Sequence, residues 1–125
     1  MSHANIALVQ NLYAAFGRGD VATIISACAA DVDWRVVGRR ADYPTLGEWR
    51  GPDGVGQFFK AVTELEDFQD FSPRELHGSG DKVFVLGEYR FTVKKTGREI
   101  ASEWCHVFAI RGGKVVAFRE FTDTA

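Results

Sequence analysis

Ile6, Val9, Tyr13 and Phe16 recur at the three-to-four-residue spacing of one helix face, and Gly17 and Gly19 then interrupt the pattern. The spacing predicts a first helix that ends there. Asp20 suits the N-cap of a second helix, which carries Val21, Ile24, Ile25 and Cys28 and runs out near Asp31. The stretch Val32-Asp33-Trp34-Arg35-Val36-Val37 alternates like a strand. Residues 38 to 51 hold three glycines and one proline among mixed charges, which predicts a loop long enough to be a lid or a rim. Pro52 or Asp53 then opens a third helix with Val55, Phe58, Phe59, Val62 and Leu65 as its apolar stripe. From residue 68 onward the period is two. Four strands are expected near 69–78, 82–94, 98–111 and 115–123, separated by Gly78-Ser79-Gly80-Asp81, Lys95-Thr96-Gly97 and Gly112-Gly113.

Helices first and long antiparallel strands afterwards describe an α+β domain with helices over one face of a curved sheet. In the last hairpin, Trp104, His106, Phe108 and Ile110 share one face of their strand, while Cys105, Val107 and Ala109 share the other. Both faces are apolar. Either a second copy of the chain covers the outer face, most simply as a two-fold dimer, or the strand is central and buried within one subunit.

A chain of 125 residues, 46% hydrophobic, can bury its own core, so residues 1–125 are expected to form a single domain without repeats or linkers. With 15 basic against 17 acidic residues and no block of like charge, nucleic acid and anionic membranes are not expected partners. Cys28 and Cys105, the only cysteines, are expected to be buried thiols. The opening MSHANIALVQ has no basic n-region, and no later run reaches membrane-spanning length, so a soluble cytoplasmic protein is expected.

Several segments in order carry a family resemblance: Leu12-Tyr13-Ala14-Ala15-Phe16 with Gly19-Asp20, Ala30-Asp31-Val32-Asp33-Trp34, and Arg50-Gly51-Pro52-Asp53-Gly54-Val55 leading into Phe58-Phe59. The last is His106-Val107-Phe108 with Gly113-Lys114-Val115-Val116 and Phe118-Arg119-Glu120. Together they resemble the nuclear transport factor 2-like superfamily, in its SnoaL-like and ketosteroid-isomerase-like branch. The resemblance implies a cone-shaped antiparallel sheet on about three N-terminal helices, a cystatin-like α+β barrel with a pocket at its wide end, commonly as a dimer. Function is less transferable, since this superfold hosts isomerases, cyclases, dehydratases, epoxide hydrolases and binding modules. The proton-shuttling aspartate of ketosteroid isomerases matches Val36, their oxyanion tyrosine falls near Leu12 with Tyr13 one step off, and their protonated aspartate falls at His106. Limonene-1,2-epoxide hydrolases would place their tyrosine and asparagine at Trp34 and Val36 and their Arg–Asp pair at Tyr89 and Phe91, which leaves one acid, Glu120. SnoaL-like cyclases, with an acid on the last strand and a histidine on the strand before, match Glu120 and His106.

The hairpin register decides whether those two groups meet. A two-residue Gly112-Gly113 turn pairs residue 111 with 114 and sets His106 opposite Arg119; a three-residue turn slips the pairing by one, so that His106 faces Glu120. The second register also places Phe118, Glu120 and Thr122 on the side of Trp104, His106 and Phe108. An imidazole and a carboxylate would then share one proton near neutral pH within a pocket walled by Tyr13, Trp34, Val36, Tyr89, Phe91, Trp104 and Phe118. Such a pair can take a proton alpha to a carbonyl and return it elsewhere, with Tyr13 or Tyr89 donating to the enolate oxygen.

The expected function is therefore a cofactor-independent isomerase or cyclase acting on a small, mostly apolar carbonyl compound. The alternative is a binding or interaction module of the same fold, or a pair that only satisfies two polar groups inside the sheet. Tyr43, Trp49 and Arg50 belong to the 38–51 loop, and Arg35, Arg39 and Arg40 could attract an acidic ligand. His3 and His77 share no metal-ligand spacing with His106, and neither a metal nor a cofactor is expected.

Overall fold

Val9, Leu12 and Ala15 are buried along one face of α1, Ser2–Gly17. The computed structural model describes residues 2–122. Asp20 caps α2, Val21–Ser26, by accepting the Thr23 N–H at 3.1 Å. This helix is shorter than its pattern suggests: Cys28 already belongs to β1, Cys28–Val36. The Ala27 carbonyl accepts the Val115 N–H at 2.8 Å, and the Lys114 ammonium reaches the Ser26 carbonyl at 2.7 Å, so the last strand draws the chain out of the helix.

The expected 38–51 loop also contains a strand. β2, Gly47–Arg50, pairs antiparallel with β1 through Trp34–Trp49 and Asp33–Arg50, and four residues are too few to display an alternation. Then α3, Gly51–Leu65, buries Val55, Phe58, Phe59 and Val62, and Pro52 lies in its first turn. The remaining strands are β3, Glu66–Ser79, β4, Lys82–Val93, β5, Glu99–Arg111, and β6, Lys114–Thr122.

All six strands form one curved sheet in the order β2-β1-β6-β5-β4-β3. Every neighbouring pair is antiparallel except β1 and β6, which run parallel. β2 and β3 are its edge strands, so the expected cone-shaped sheet on N-terminal helices is curved and unclosed. Its concave face packs on the helices around Trp34, Val85, Trp104, Phe108 and Phe118. No helix among the described residues is long and apolar enough to cross a membrane.

The β5–β6 hairpin reaches its register by a route that neither turn length anticipates. Arg111 pairs with Lys114 across a two-residue turn in which Gly112 and Gly113 both have positive φ, at 59° and 77°. Ile110 then pairs with Val115 but Ala109 with Ala117, which leaves Val116 as the extra residue of a β-bulge. Beyond the bulge His106 lies opposite Glu120.

The convex face is apolar at its centre. Phe84, Leu86 and Phe121 are 37%, 43% and 44% exposed, and Cys105 between the last two is only half-buried rather than the buried thiol expected; Cys28 is buried. On the concave face Gly87 is buried opposite Trp104. A Cβ there would run into the Trp104 indole and lie 2.6 Å from the Ser72 carbonyl oxygen. Gly87→Ala is expected to destabilise the fold by about 2–3 kcal/mol in denaturant titration, through overpacking, whereas Gly17→Ala is expected to be close to neutral. Nothing lies within 4 Å of a Cβ at Gly17.

Candidate functional site

Tyr13, His106 and Glu120 arrive from α1, β5 and β6 and form one hydrogen-bonded line. The Tyr13 hydroxyl is 2.7 Å from His106 Nδ1, and His106 Nε2 is 2.7 Å from Glu120 Oε1. The His106 side chain is 4% exposed and that of Glu120 16%. Burying an imidazole is tolerable here because both ring nitrogens have partners. The ring is also held flat: Trp104 stacks on it with centroids 3.8 Å apart at 18°, and Phe118 meets it edge-on at 4.8 Å.

The protons along this line follow from Tyr13. Burial first, then the charges of Glu120 and Cys105, push its hydroxyl above the ordinary phenol range. Tyr13 therefore keeps its proton; with that proton given to Nδ1, the imidazole carries its own on Nε2, which faces Glu120 Oε1. Nδ1 and Nε2 are both engaged, and the ring cannot turn without breaking two hydrogen bonds.

Beside this line lies a cavity of roughly 300 Å³. Its wall includes Tyr13, Trp34, Val36 and Tyr89, and also Phe91 and Phe118, together with His106 and Glu120. Trp104, expected among the lining residues, is not one of them; its indole lies over Gly87 and stacks on His106. Tyr89, held as a protonated phenol by burial and by Glu120 against an opposing hydrogen bond with Thr122, carries a hydroxyl that the His106 line does not use.

Two cavity groups were not among the expected site residues. Glu66, the first residue of β3, lines the cavity and accepts the Tyr43 hydroxyl at Oε2, 2.8 Å away. Burial pushes the Glu66 carboxyl up to about 7; the Tyr43 hydrogen bond opposes this, and the Glu120 charge adds to it. Reading the third strand from residue 69 hides this group. Started at 66, the strand alternates Glu66 and Phe68 on the inner side against exposed Asp67 and Gln69.

The other loop candidates serve the loop itself. Arg40 lies over the Trp49 ring at 4.1 Å and donates to the Leu46 carbonyl, while Trp49 Nε1 donates to the Thr45 carbonyl. Arg39 pairs with Asp42, Arg50 with Glu48, and Arg35 with both Asp33 and Glu48. His77 pairs with Glu75 at the surface. Among the described residues no three His, Cys, Asp or Glu side chains cluster so as to hold a metal ion.

This arrangement sits within a chain whose residues 9–118 match the model of the SnoaL-like domain. The chain belongs to the SnoaL-like domain family. A relative in Mycobacterium tuberculosis, an uncharacterized protein, is 27% identical over 94% of this chain and 88% of its own. The crystal structure of an NTF2-like protein of unknown function from Burkholderia pseudomallei superposes with a TM-score of 0.88 at 31% identity, covering 99% of this chain and 93% of that one. TerC, crystallised with polyporic acid, superposes at a TM-score of 0.83 with 27% identity over 97% of this chain and 92% of its own.

The position of Glu66 has a consequence for this SnoaL-like domain's stability. An unfolded chain releases the Glu66 proton near 4.5 and the folded one near 7, so the folded state binds more protons in between and loses stability as pH rises through that window. Glu66→Gln removes the penalty and keeps an acceptor for Tyr43. The variant is expected to be more stable than the parent by about 2–3 kcal/mol at pH 8.5 and nearly equal to it at pH 4, read from denaturant titrations at both values.

Proposed function

We propose that this SnoaL-like domain is a cofactor-independent acid/base enzyme that moves a proton on a small, mostly apolar carbonyl compound. The observation that carries this reading is the Tyr13–His106–Glu120 line with its carboxylate on the wall of an aromatic cavity. A pair present only to satisfy polar groups needs no cavity beside it. Members of the SnoaL-like fold include cyclases and isomerases, which agrees with the reading. The TerC crystals add a ligand of suitable form, since polyporic acid is a flat aryl-substituted hydroxyquinone.

In this reading the Glu120 carboxylate takes a proton from the carbon alpha to the carbonyl. That C–H bond breaks, its electron pair forms the enolate, and the enolate oxygen accepts the Tyr89 hydroxyl. The proton held on Glu120 then returns to a different carbon. His106 positions the carboxylate and donates Nε2–H to it, and Tyr13 fixes the imidazole tautomer. Tyr13 is occupied by Nδ1, so Tyr89 is the phenol left for the oxyanion.

The first test follows deuterium entry at the alpha carbons of 2-tetralone, a flat aryl ketone, by NMR. The protein is expected to accelerate exchange, and Glu120→Gln to lower the rate by about 10²- to 10⁴-fold, with His106→Ala slowing it by at least about tenfold. Tight binding of the ketone with no exchange, unaltered by Glu120→Gln, would make the domain a binding module instead.

We further propose that a second copy of the chain covers the convex face. Leu86, Cys105 and Phe121 are direct cross-strand neighbours there, with Phe84 and Val107 alongside, so the apolar patch spans three central strands. A two-fold axis through such a patch sets like residues against each other without requiring a complementary partner shape. Sedimentation velocity is expected to give a dimer for the parent and a folded monomer for the double variant Leu86→Glu, Phe121→Glu. A monomeric parent would refute this.

A further inference from the structure

Glu66 is not needed for a proton to be removed from carbon and put back, since one carboxylate can do both. Its placement nevertheless gives it access to a bound compound. It lines the same cavity as Glu120, on the first residue of β3; it feels the Glu120 charge, and its own charge is felt by the Tyr89 hydroxyl. The Tyr43 hydroxyl donates to Oε2 at 2.8 Å, and Tyr43 keeps that proton because burial and Glu66 itself hold it above the ordinary phenol range. Oε1 is thus the oxygen left to carry an acid proton.

The other charged groups near Glu66 leave it in this state. Asp42 and Arg98 also line the cavity, but Asp42 is paired with Arg39, and the Glu66 carboxyl is moved by burial, Tyr43 and Glu120 and not by the Arg98 guanidinium. Lys94, beside the end of α3, donates its ammonium to the Thr63 carbonyl. Burial therefore dominates, and near neutral pH a sizeable fraction of Glu66 is the neutral acid. The cavity then offers a base at Glu120 and an acid at Glu66 at the same time. A carboxyl that tends to keep its proton, on the same cavity as a second carboxyl, is what a reaction needs when a proton leaves carbon and another must arrive on oxygen.

We propose that Glu66 is a second catalytic acid, held by Tyr43, and that the substrate is a hydroxy-ketone from which the site eliminates water. The inference rests on the acid/base reading above and narrows it. Glu120 takes the proton alpha to the ketone, and the electron pair of that C–H bond forms the new C=C bond. The C–O bond at the neighbouring carbon breaks, and its oxygen takes the Glu66 proton and leaves as water. The product is a conjugated enone. Glu120 then releases its proton and Glu66 regains one through water at the cavity mouth, so no oxidant or reductant enters.

The probe is 4-hydroxy-4-phenylbutan-2-one, whose dehydration is read from the absorbance of the enone and whose alpha exchange is read by NMR in deuterated water. The parent is expected to catalyse both. Glu66→Gln is expected to lower dehydration on the order of 100-fold and exchange by less than about tenfold, while Glu120→Gln lowers both alike. Tyr43 is a positioning residue, and Tyr43→Phe is expected to move the alkaline limb of the dehydration profile to higher pH, because the lost hydrogen bond had favoured the Glu66 carboxylate.

Dehydration that survives Glu66→Gln within about threefold, or that falls in the same proportion as exchange, would overturn the role of Glu66. Exchange without dehydration in the parent would overturn the elimination and leave the acid/base reading in place. Absence of both would remove both readings. The stability gain of Glu66→Gln at alkaline pH shows independently that the variant is folded.

Discussion

One extra residue in β6 sets the concave face of the sheet. Without the bulge at Val116, the two-residue Gly112-Gly113 turn would carry its register down the hairpin and bring Arg119 opposite His106. Arg119 would then point at an aromatic interior, Glu120 would leave it, and Phe118, which is 4% exposed, would turn toward water. Removing one phenylalanine side chain from the core forfeits about 2 kcal/mol of apolar burial, and burying an unpaired guanidinium costs several more. Core packing and site chemistry therefore demand the same register. The residue that supplies it touches neither.

The registered hairpin brings only two of the three polar groups together; α1 brings the third. Tyr13 packs against Trp104 and Phe108 as well as His106, so the hydroxyl is delivered by the same contacts that dock the helix. In surroundings this apolar, each unpaired polar atom would cost more than a hydrogen bond returns. The line is complete from α1 to β6, and the hydroxyl of Tyr89 lies outside it. The same low-dielectric setting acts on Glu66, whose carboxyl burial pushes up to about 7.

Much of this was legible in the chain. Helical periodicity located α1 and α3, alternation located β4 to β6, and the lone ionisable groups in the last hairpin pointed to His106 and Glu120. The missing parts have specific physical causes. β2 is too short to carry a period, and its partner β1 is distant in pattern though adjacent in space. The bulge adds a residue with no glycine to mark it, since Val116 is chemically like its neighbours. Trp104 shares the inner face of β5 with His106, but only the missing side chain at Gly87 on the next strand shows where its indole goes. Glu66 sits at the exact change from helical to strand period, where neither pattern assigns it a face.

A cavity of roughly 300 Å³ inside a small domain has to be held open, because protein interiors otherwise close to crystal-like density. Here the wall side chains brace one another instead of filling the space. Trp34 stacks on Phe118 at 4.0 Å and meets Phe59 at 63°, and Phe16 and Phe71 lie 5.0 Å apart with Phe68 edge-on to both. Rigid rings have few rotamers with which to collapse inward, and each is pinned from two or more sides. The hollow is accordingly a property of the folded chain before any ligand enters, and shape selects the occupant. The polar groups of this wall include Glu120, Tyr89 and Glu66, and the polar ends of the flat, mostly apolar compound proposed above would lie against them.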